Sequence, residues 1–373
     1  MKSIIFIGTR PEAIKLVPLY KKFKQSKKSD VLLVSTGQHK EMVSKIFSFF
    51  DVVPDIEFDL MTANQSLADI FSRVLSESSR LIEKEKPDVI FVQGDTNTAL
   101  ASALAAFYTK INIAHVEAGL RTYEFYSPFP EEKNRELISR ISSFHFTPTS
   151  QNKENLIKEG IPSEKIFTVG NTVIDALQES IPRINSREQE NYFINEFSFN
   201  PTQSKYVLIT GHRRENFGDG INQICKALLS LSKKHPDCNF VYPVHLNPNI
   251  LSVVKKLLGG LQNIFLLPPL SYDNFLFLML NCHLILTDSG GIQEEAPTLN
   301  KPVLLMRAST ERPEGVESGA VRIVGAEANH IIKNVDELMT NSELYSKMTN
   351  IENPYGDGTA SIKIFDIINK KFI

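Results

Sequence analysis

A chain of 373 residues is long enough for two domains of ordinary size, and at 42% apolar and 23% charged it has the composition of a core-forming globular protein. A formal net charge of -2 offers no basic field for nucleic acid or an anionic membrane surface. The three cysteines, Cys225, Cys238 and Cys282, are scattered without CxxC spacing, and no His/Cys cluster has zinc spacing. These features point away from a metal site or a disulfide framework and toward a reduced, cytoplasmic protein.

The chain opens on an apolar run, residues 2–7, too short for a signal segment, and no later run approaches the length of a membrane span. Gly8-Thr9-Arg10 follows, then helical periodicity over 11–25. Pro11 suits the first helical position, which leaves Arg10 in the turn. A second apolar run at 31–36 ends in Gly37-Gln38-His39. A helix is expected over 66–84, a strand over 88–93 ending in Gly94-Asp95-Thr96, and a helix over 97–108. The strand at 111–116 runs into Glu117-Ala118-Gly119-Leu120-Arg121. Pro128-Phe129-Pro130-Glu131-Glu132 is a rigid stretch before a helix that contains Asn134 and Arg135, and a strand at 143–147 and a helix at 149–158 complete the series. Short apolar runs alternating with amphipathic segments are βαβ units, hence a doubly wound parallel sheet.

The pattern pauses at about 170–204, a polar stretch with Pro182 and Asn200-Pro201. A second series then places strands at 205–210, 238–243, 263–267, 283–287 and 302–306. The expected class is α/β, with two Rossmann-like domains, 1–169 and 170–354, facing one another across a cleft. The turn-rich segment at 353–358 precedes a last helix, within about 355–373, which fold analogy returns to the first domain.

Ligands of open α/β sheets bind beyond the carboxyl ends of the strands, and the unusual polar motifs fall at such ends. Ser289-Gly290-Gly291 follows an apolar run and opens a helical segment with Glu295 one turn in. Two glycines permit close approach of backbone to a ligand, the helix N–H groups favour a phosphate, and the carboxylate suits a ribose. The plainer reading is an ordinary tight turn. Arg10 and Lys15 bracket a helix start and suit a leaving diphosphate, or else act as a cap and a solvated lysine. Asp95, Glu117 and Glu131 suit proton transfer if they converge. Each also has a structural reading: Asp95 as a helix cap, Glu117 as a partner of Arg121, and Glu131 as a first-turn acid. His212, in Gly211-His212-Arg213-Arg214-Glu215, is a candidate proton donor or phosphate contact. Arg312 reads either as a further cation or as a surface ion pair with Glu311 or Glu314, and Phe275 either as a cover for a base or as core. The first strand is not followed by Gly-x-Gly-x-x-Gly, so no nicotinamide cofactor is expected, and neither a P-loop nor a Gly-x-Ser-x-Gly elbow occurs.

Ten motifs, in order along nearly the whole chain, strongly resemble the non-hydrolysing UDP-N-acetylglucosamine 2-epimerases of bacteria. They are GTRPEAIK at 8–15, GDT at 94–96, HVEAGLRT at 115–122, SPFPEEKNR at 127–135, GNTVIDAL at 170–177, GHRREN at 211–216, YPVHLNP at 242–248, DSGGIQEEAP at 288–297, TERPEG at 310–315 and NPYGDG at 353–358. The resemblance implies a GT-B architecture, a homodimer, no cofactor, and reversible conversion of UDP-GlcNAc to UDP-ManNAc for bacterial surface polysaccharide. By motif match it implies Asp95, Glu117 and Glu131 as acid–base groups and His212 as a catalytic or diphosphate-contacting residue. It implies Arg10, Lys15, Ser289, Gly290, Gly291, Glu295 and Arg312 as UDP contacts, with Leu270 and Phe275 beside the uracil. The implied chemistry is elimination of UDP to 2-acetamidoglucal and re-addition on the other face. This route suits a C2 proton that no adjacent carbonyl acidifies. Some relatives bind a second UDP-GlcNAc as activator. Here Gln38, Arg213 and His245 of that pattern remain, but Glu41 stands in place of a Gln and Asn64 near the place of an Arg. Strict dependence on such a site is therefore not expected. Two other chemistries remain open on the residues alone, transfer of the sugar to an acceptor and hydrolysis to free sugar, as does a non-catalytic nucleotide-sugar sensor.

Overall fold

The computed structural model describes residues 1–60, 65–211, 213, 216 and 218–372. The chain divides into two compact units. The first is Met1–Ser180 together with the C-terminal segment from Tyr355, and the second is Ile181–Pro354.

The first unit carries β1 (Lys2–Ile7), α1 (Arg10–Lys24), β2 (Asp30–Ser35), α2 (Lys40–Phe49), β3 (Ile56–Glu57), α3 (Leu67–Glu85) and β4 (Val89–Gln93). It continues with α4 (Asn97–Tyr108), β5 (Asn112–Val116), α5 (Glu131–Ile141), β6 (Phe144–Thr147), α6 (Ser150–Lys158), β7 (Ile166–Thr168) and α7 (Thr172–Ser180). The strands form a seven-stranded parallel sheet in the order β3-β2-β1-β4-β5-β6-β7. The residues of the inner strands β1, β4, β5 and β6 are almost wholly buried, as expected where helices cover both faces. The order reverses between β1 and β4, which is where a doubly wound sheet opens its ligand crevice.

The second unit contains α8 (Ser186–Phe197), β8 (Tyr206–Thr210), α9 (Asp219–Lys234), β9 (Asn239–Pro243), α10 (Pro248–Leu258), β10 (Ile264–Leu267) and α11 (Tyr272–Asn281). After these come β11 (Leu284–Thr287), α12 (Gly290–Glu295), β12 (Val303–Leu305), α13 (Pro313–Glu317), β13 (Val321–Ile323), α14 (Ala328–Thr340) and α15 (Ser342–Thr349). Its six-stranded parallel sheet runs β10-β9-β8-β11-β12-β13 and reverses between β8 and β11. The last helix, α16 (Ala360–Phe372), packs on α1 and α7 of the first unit. Its first turn is capped by Asp175, which accepts the N–H groups of Ala360 (3.2 Å) and Ser361 (2.7 Å).

The polar stretch at 170–204 is not a pause: it forms α7 and α8. The buried face of α7, Val173, Ile174, Ala176 and Leu177, packs on α1. This puts the boundary of the first unit after Ser180 rather than after residue 169. Lys21 and Lys22 are less solvated than a free helix face would leave them. Lys21 pairs with Glu179 of α7, and the ammonium of Lys22 lies 5.5 Å from the centre of the Phe365 ring on α16. The three cysteines are buried and unbridged, and burial pushes the thiols of Cys225, Cys238 and Cys282 up to about 12, 11 and 12. Among the described residues no helix is long and apolar enough to cross a membrane.

Candidate active site

The turn after β1 is organised by Glu12. Oε2 of Glu12 accepts the backbone N–H groups of Gly8 (3.0 Å) and Thr9 (2.6 Å), and Oε1 accepts the hydroxyl of Thr96 (2.7 Å). Glu12 is completely buried, and desolvation raises its carboxyl to about 6 against the pull of these hydrogen bonds. Thr9 is the N-cap, so Arg10 is the first helical residue and Pro11 the second. Pro11 at the first helical position would leave Arg10 in the turn; the Thr9/Glu12 capping box instead starts the helix one residue earlier. Arg10 is exposed. Lys15, one turn on and buried, is ion-paired with Glu117.

Asp95 and Glu117 leave neighbouring strands. β4 and β5 pair from Val89↔Asn112 to Gln93↔Val116, and the N–H of Gly94 donates to the carbonyl of Val116 (3.0 Å). The two carboxylates are therefore carried by adjacent strand ends. Gly94 turns with φ +67°, and its carbonyl lies 2.8 Å from Nε2 of His115, a fully buried ring on β5. Burial, chiefly, and then the charges of His145, Arg121 and Arg135 push His115 down to about 3, so the ring is neutral. Its Nδ1 has no hydrogen-bond partner among the described residues. Glu117 has φ +63°, which costs a non-glycine residue about 1 kcal/mol and persists only where the surroundings impose it. Here the imposing contacts are Lys15 and the side-chain amide of Asn171, 3.4 Å from Oε2.

Helix α5 grips the Asp95 turn. Arg135 Nε donates to Asp95 Oδ2 (2.8 Å), Nη2 of Arg135 lies 2.7 Å from the same oxygen, and Asn134 donates to the Asp95 carbonyl (2.8 Å). Glu131 begins α5, four residues before Arg135 and so on the same helical face. It is half-buried, with no side-chain hydrogen bond or ion pair among the described residues. Arg135 also reaches Glu132 (3.0 Å). The buried carboxylate of Glu132 in turn accepts the N–H groups of Thr122 (3.1 Å) and Tyr123 (2.9 Å), fixing the loop beyond β5. Glu117 does not pair with Arg121, which makes a bidentate contact with Glu159 at 2.6 and 2.8 Å. Asp95 is not the cap of α4 either, since Thr96 fills that position.

In the second unit, Ser289 is the N-cap of α12 and Gly290 begins it. A Cβ on Gly290 would stand 2.6 Å from Nη1 of Arg312 and 2.9 Å from its Cζ, so the guanidinium packs directly against this first turn. Arg312 is buried, held by Glu294 through Nε (2.6 Å) and by Glu311 through Nη1 (2.5 Å). It is thus a fixed, buried cation rather than half of a surface pair. Glu311 also takes Arg307 (2.8 Å), and the two arginines hold its carboxyl well below the usual range against the effect of burial. Glu295 and Gly291 follow on α12, both half-buried. Leu270 precedes α11 and Phe275 lies within it; both are half-buried, so Phe275 is not core. Asp288, fully buried, accepts the N–H of Arg213 (2.9 Å) and the side-chain amide of Asn216 (3.1 Å), tying the end of β11 to the segment after β8. His212 and Asn64 lie outside the described residues.

Of the remaining candidates, Gln38 accepts the hydroxyl of Thr98 (2.8 Å), Glu41 is exposed in the first turn of α2, and the exposed His245 accepts the N–H of Asn247 (3.1 Å). Sequence reasoning named Glu311 as a partner of Arg312, though on the surface rather than buried, and missed the supporting charges Glu12, Glu132 and Glu294. Glu12 left a readable signal, an acid three residues after a threonine at a helix start.

The family model described as UDP-N-acetylglucosamine 2-epimerase matches residues 21–369. A UDP-N-acetylglucosamine 2-epimerase of Campylobacter jejuni is 48% identical, the match covering 99% of this chain and 97% of that protein. The crystal structure of UDP-GlcNAc 2-epimerase from Neisseria meningitidis bound to UDP-GlcNAc superposes with a TM-score of 0.93 at 46% identity, covering 99% of this chain and 100% of that one. The Methanocaldococcus jannaschii UDP-GlcNAc 2-epimerase in complex with UDP-GlcNAc and UDP gives 0.83 at 36% identity, over 99% and 100%. The fold is therefore of the GT-B type, and the chain belongs to the UDP-N-acetylglucosamine 2-epimerase family of enzymes.

Proposed function

We propose that this enzyme interconverts UDP-GlcNAc and UDP-ManNAc by eliminating UDP across C1–C2 and adding it back after protonation on the opposite face of C2. The observation that carries this reading is the pair of carboxylates on adjacent strand ends, each with its own cation: Asp95 with Arg135 and Glu117 with Lys15. Elimination needs a base for the C2 proton and positive charge for the departing diphosphate. Asp95, Glu117 and Glu131 supply the acid–base groups in this reading. Arg10 and Lys15 offset charge on the diphosphate, and His212 either protonates or contacts it. The second unit supplies UDP contacts from Ser289, Gly290, Gly291, Glu295 and Arg312, with Leu270 and Phe275 beside the base. The bound ligands of the related Neisseria and Methanocaldococcus enzymes support this substrate class.

The enzyme on this reading is a cytoplasmic homodimer that supplies activated ManNAc to surface polysaccharide. Asp95→Asn, Glu117→Gln and Glu131→Gln test the assignment. Each is expected to lower turnover by about 10²-fold or more while UDP affinity stays within a few-fold. Near-full activity in all three would overturn the acid–base assignment.

A further inference from the structure

The sheet of the first unit separates at its switch point. β1 runs to Ile7 and β4 to Gln93, yet their pairing ends at Ile5↔Phe91. Beyond that register no strand pairing holds the turn carrying Arg10 to the turn carrying Asp95. Glu12 spans the gap. One of its oxygens takes the N–H groups of Gly8 and Thr9 at the end of β1, and the other takes the hydroxyl of Thr96 beyond β4. Thr96 meanwhile accepts the N–H of Ala99 (3.0 Å), which leaves its single hydroxyl proton directed at Glu12. An ordinary capping box needs only the contact to the N-cap residue, and such a glutamate is commonly solvated. Burying this one completely carries a desolvation cost that capping alone does not require.

We propose that Glu12 is a positioning residue for the reaction, its carboxylate fastening the β1 turn to the β4 turn and so setting Arg10 relative to Asp95. The inference rests on the acid–base reading of Asp95. A loosened fastening shifts reacting groups without removing any, so it lowers kcat and leaves nucleotide affinity intact. A misplacement of about 1 Å is enough for a loss on the order of 100-fold.

Glu12→Ala, Glu12→Gln and Thr96→Val test it, with Asp95→Asn as control, each assayed for kcat, KM, UDP affinity and melting temperature. Glu12→Ala is expected to lower kcat about 100-fold, with UDP affinity within about three-fold of wild type. Glutamine retains both contacts, accepting the N–H groups through its oxygen and donating to Thr96, so Glu12→Gln is expected to restore kcat to within about five-fold. Thr96→Val keeps Glu12 but removes the far contact together with the hydroxyl that caps α4; it is expected to cost about ten-fold in kcat, and it gives a second readout if Glu12→Ala does not fold. Wild-type kcat in Thr96→Val, or in a folded Glu12→Ala of lowered melting temperature, would overturn the inference and leave Glu12 a purely structural cap. Full activity of Asp95→Asn would instead overturn the reading on which the inference stands.

Discussion

Neutral His115 makes the stability of the first unit depend on pH in a way that one substitution isolates. The ring is buried on β5, gives Nε2 to the Gly94 carbonyl, and leaves Nδ1 without a partner among the described residues. Protonation would place an unsatisfied cationic N–H in the core, which is why the folded-state value falls from 6.5 to about 3. A depressed histidine contributes stability that is fully present above its unfolded value and is lost as pH falls toward its folded one. Between those limits the unfolded chain binds one more proton than the native chain, so stability falls by about 1.4 kcal/mol per pH unit. From pH 7.5 to 4.5 this group alone accounts for a loss of about 2.6 kcal/mol. Glu12 acts in the opposite sense, because its carboxyl is raised to about 6: its contribution is present below 4.5 and lost as pH rises through 6. The wild-type curve therefore partly cancels between pH 6 and 4.5, and only a difference measurement is clean. His115→Gln keeps an N–H donor and removes the titration. Urea unfolding of both proteins at pH 7.5, 6.5, 5.5 and 4.5 should show the wild type losing about 2.6 kcal/mol relative to the variant. Parallel curves would refute the argument.

The other predictions concern groups that hold site residues in place. Gly290→Ala should displace Arg312, whose guanidinium Glu294 and Glu311 prevent from yielding; calorimetry should show UDP affinity down about ten-fold and unfolding a loss of about 1–3 kcal/mol, and unchanged values in both would refute the fixed packing of Arg312 against this turn. Arg135→Met leaves the fully buried Glu132 without its cation and should destabilise by about 3–5 kcal/mol in chemical unfolding, with Arg135→Lys recovering part of this; equal stability of the two variants would remove charge from the explanation. Initial rates against UDP-GlcNAc should be hyperbolic, because Glu41 departs from the second-site pattern and Gln38 is occupied by Thr98; a sigmoidal curve would show an activating second site.

Asp95 and Glu117 were legible as candidates because they sit where apolar runs stop. Asp95 and Glu117 follow β4 and β5 immediately, and a buried parallel strand announces its carboxyl end by a change of composition. Ser289-Gly290-Gly291 was legible for the same reason after β11. The short strands β3, β7 and β13, of two to three residues, were missed because so few positions carry no periodicity. Helix α8 was hidden by a polar surface, and α7 by the prolines and asparagines around it. The buried carboxylates Glu132 and Glu294, and the burial of Glu311, were illegible for another reason. A charged residue reads as solvent-facing from sequence, and only the arginine it meets in three dimensions explains its burial.

Proton NMR of the purified enzyme with UDP-GlcNAc in D2O, without cofactor or acceptor, tests the central claim most directly. Elimination and re-addition predict a growing UDP-ManNAc anomeric signal with deuterium at C2. UDP-ManNAc retaining its C2 proton, release of free ManNAc with UDP, or an unchanged spectrum would contradict it.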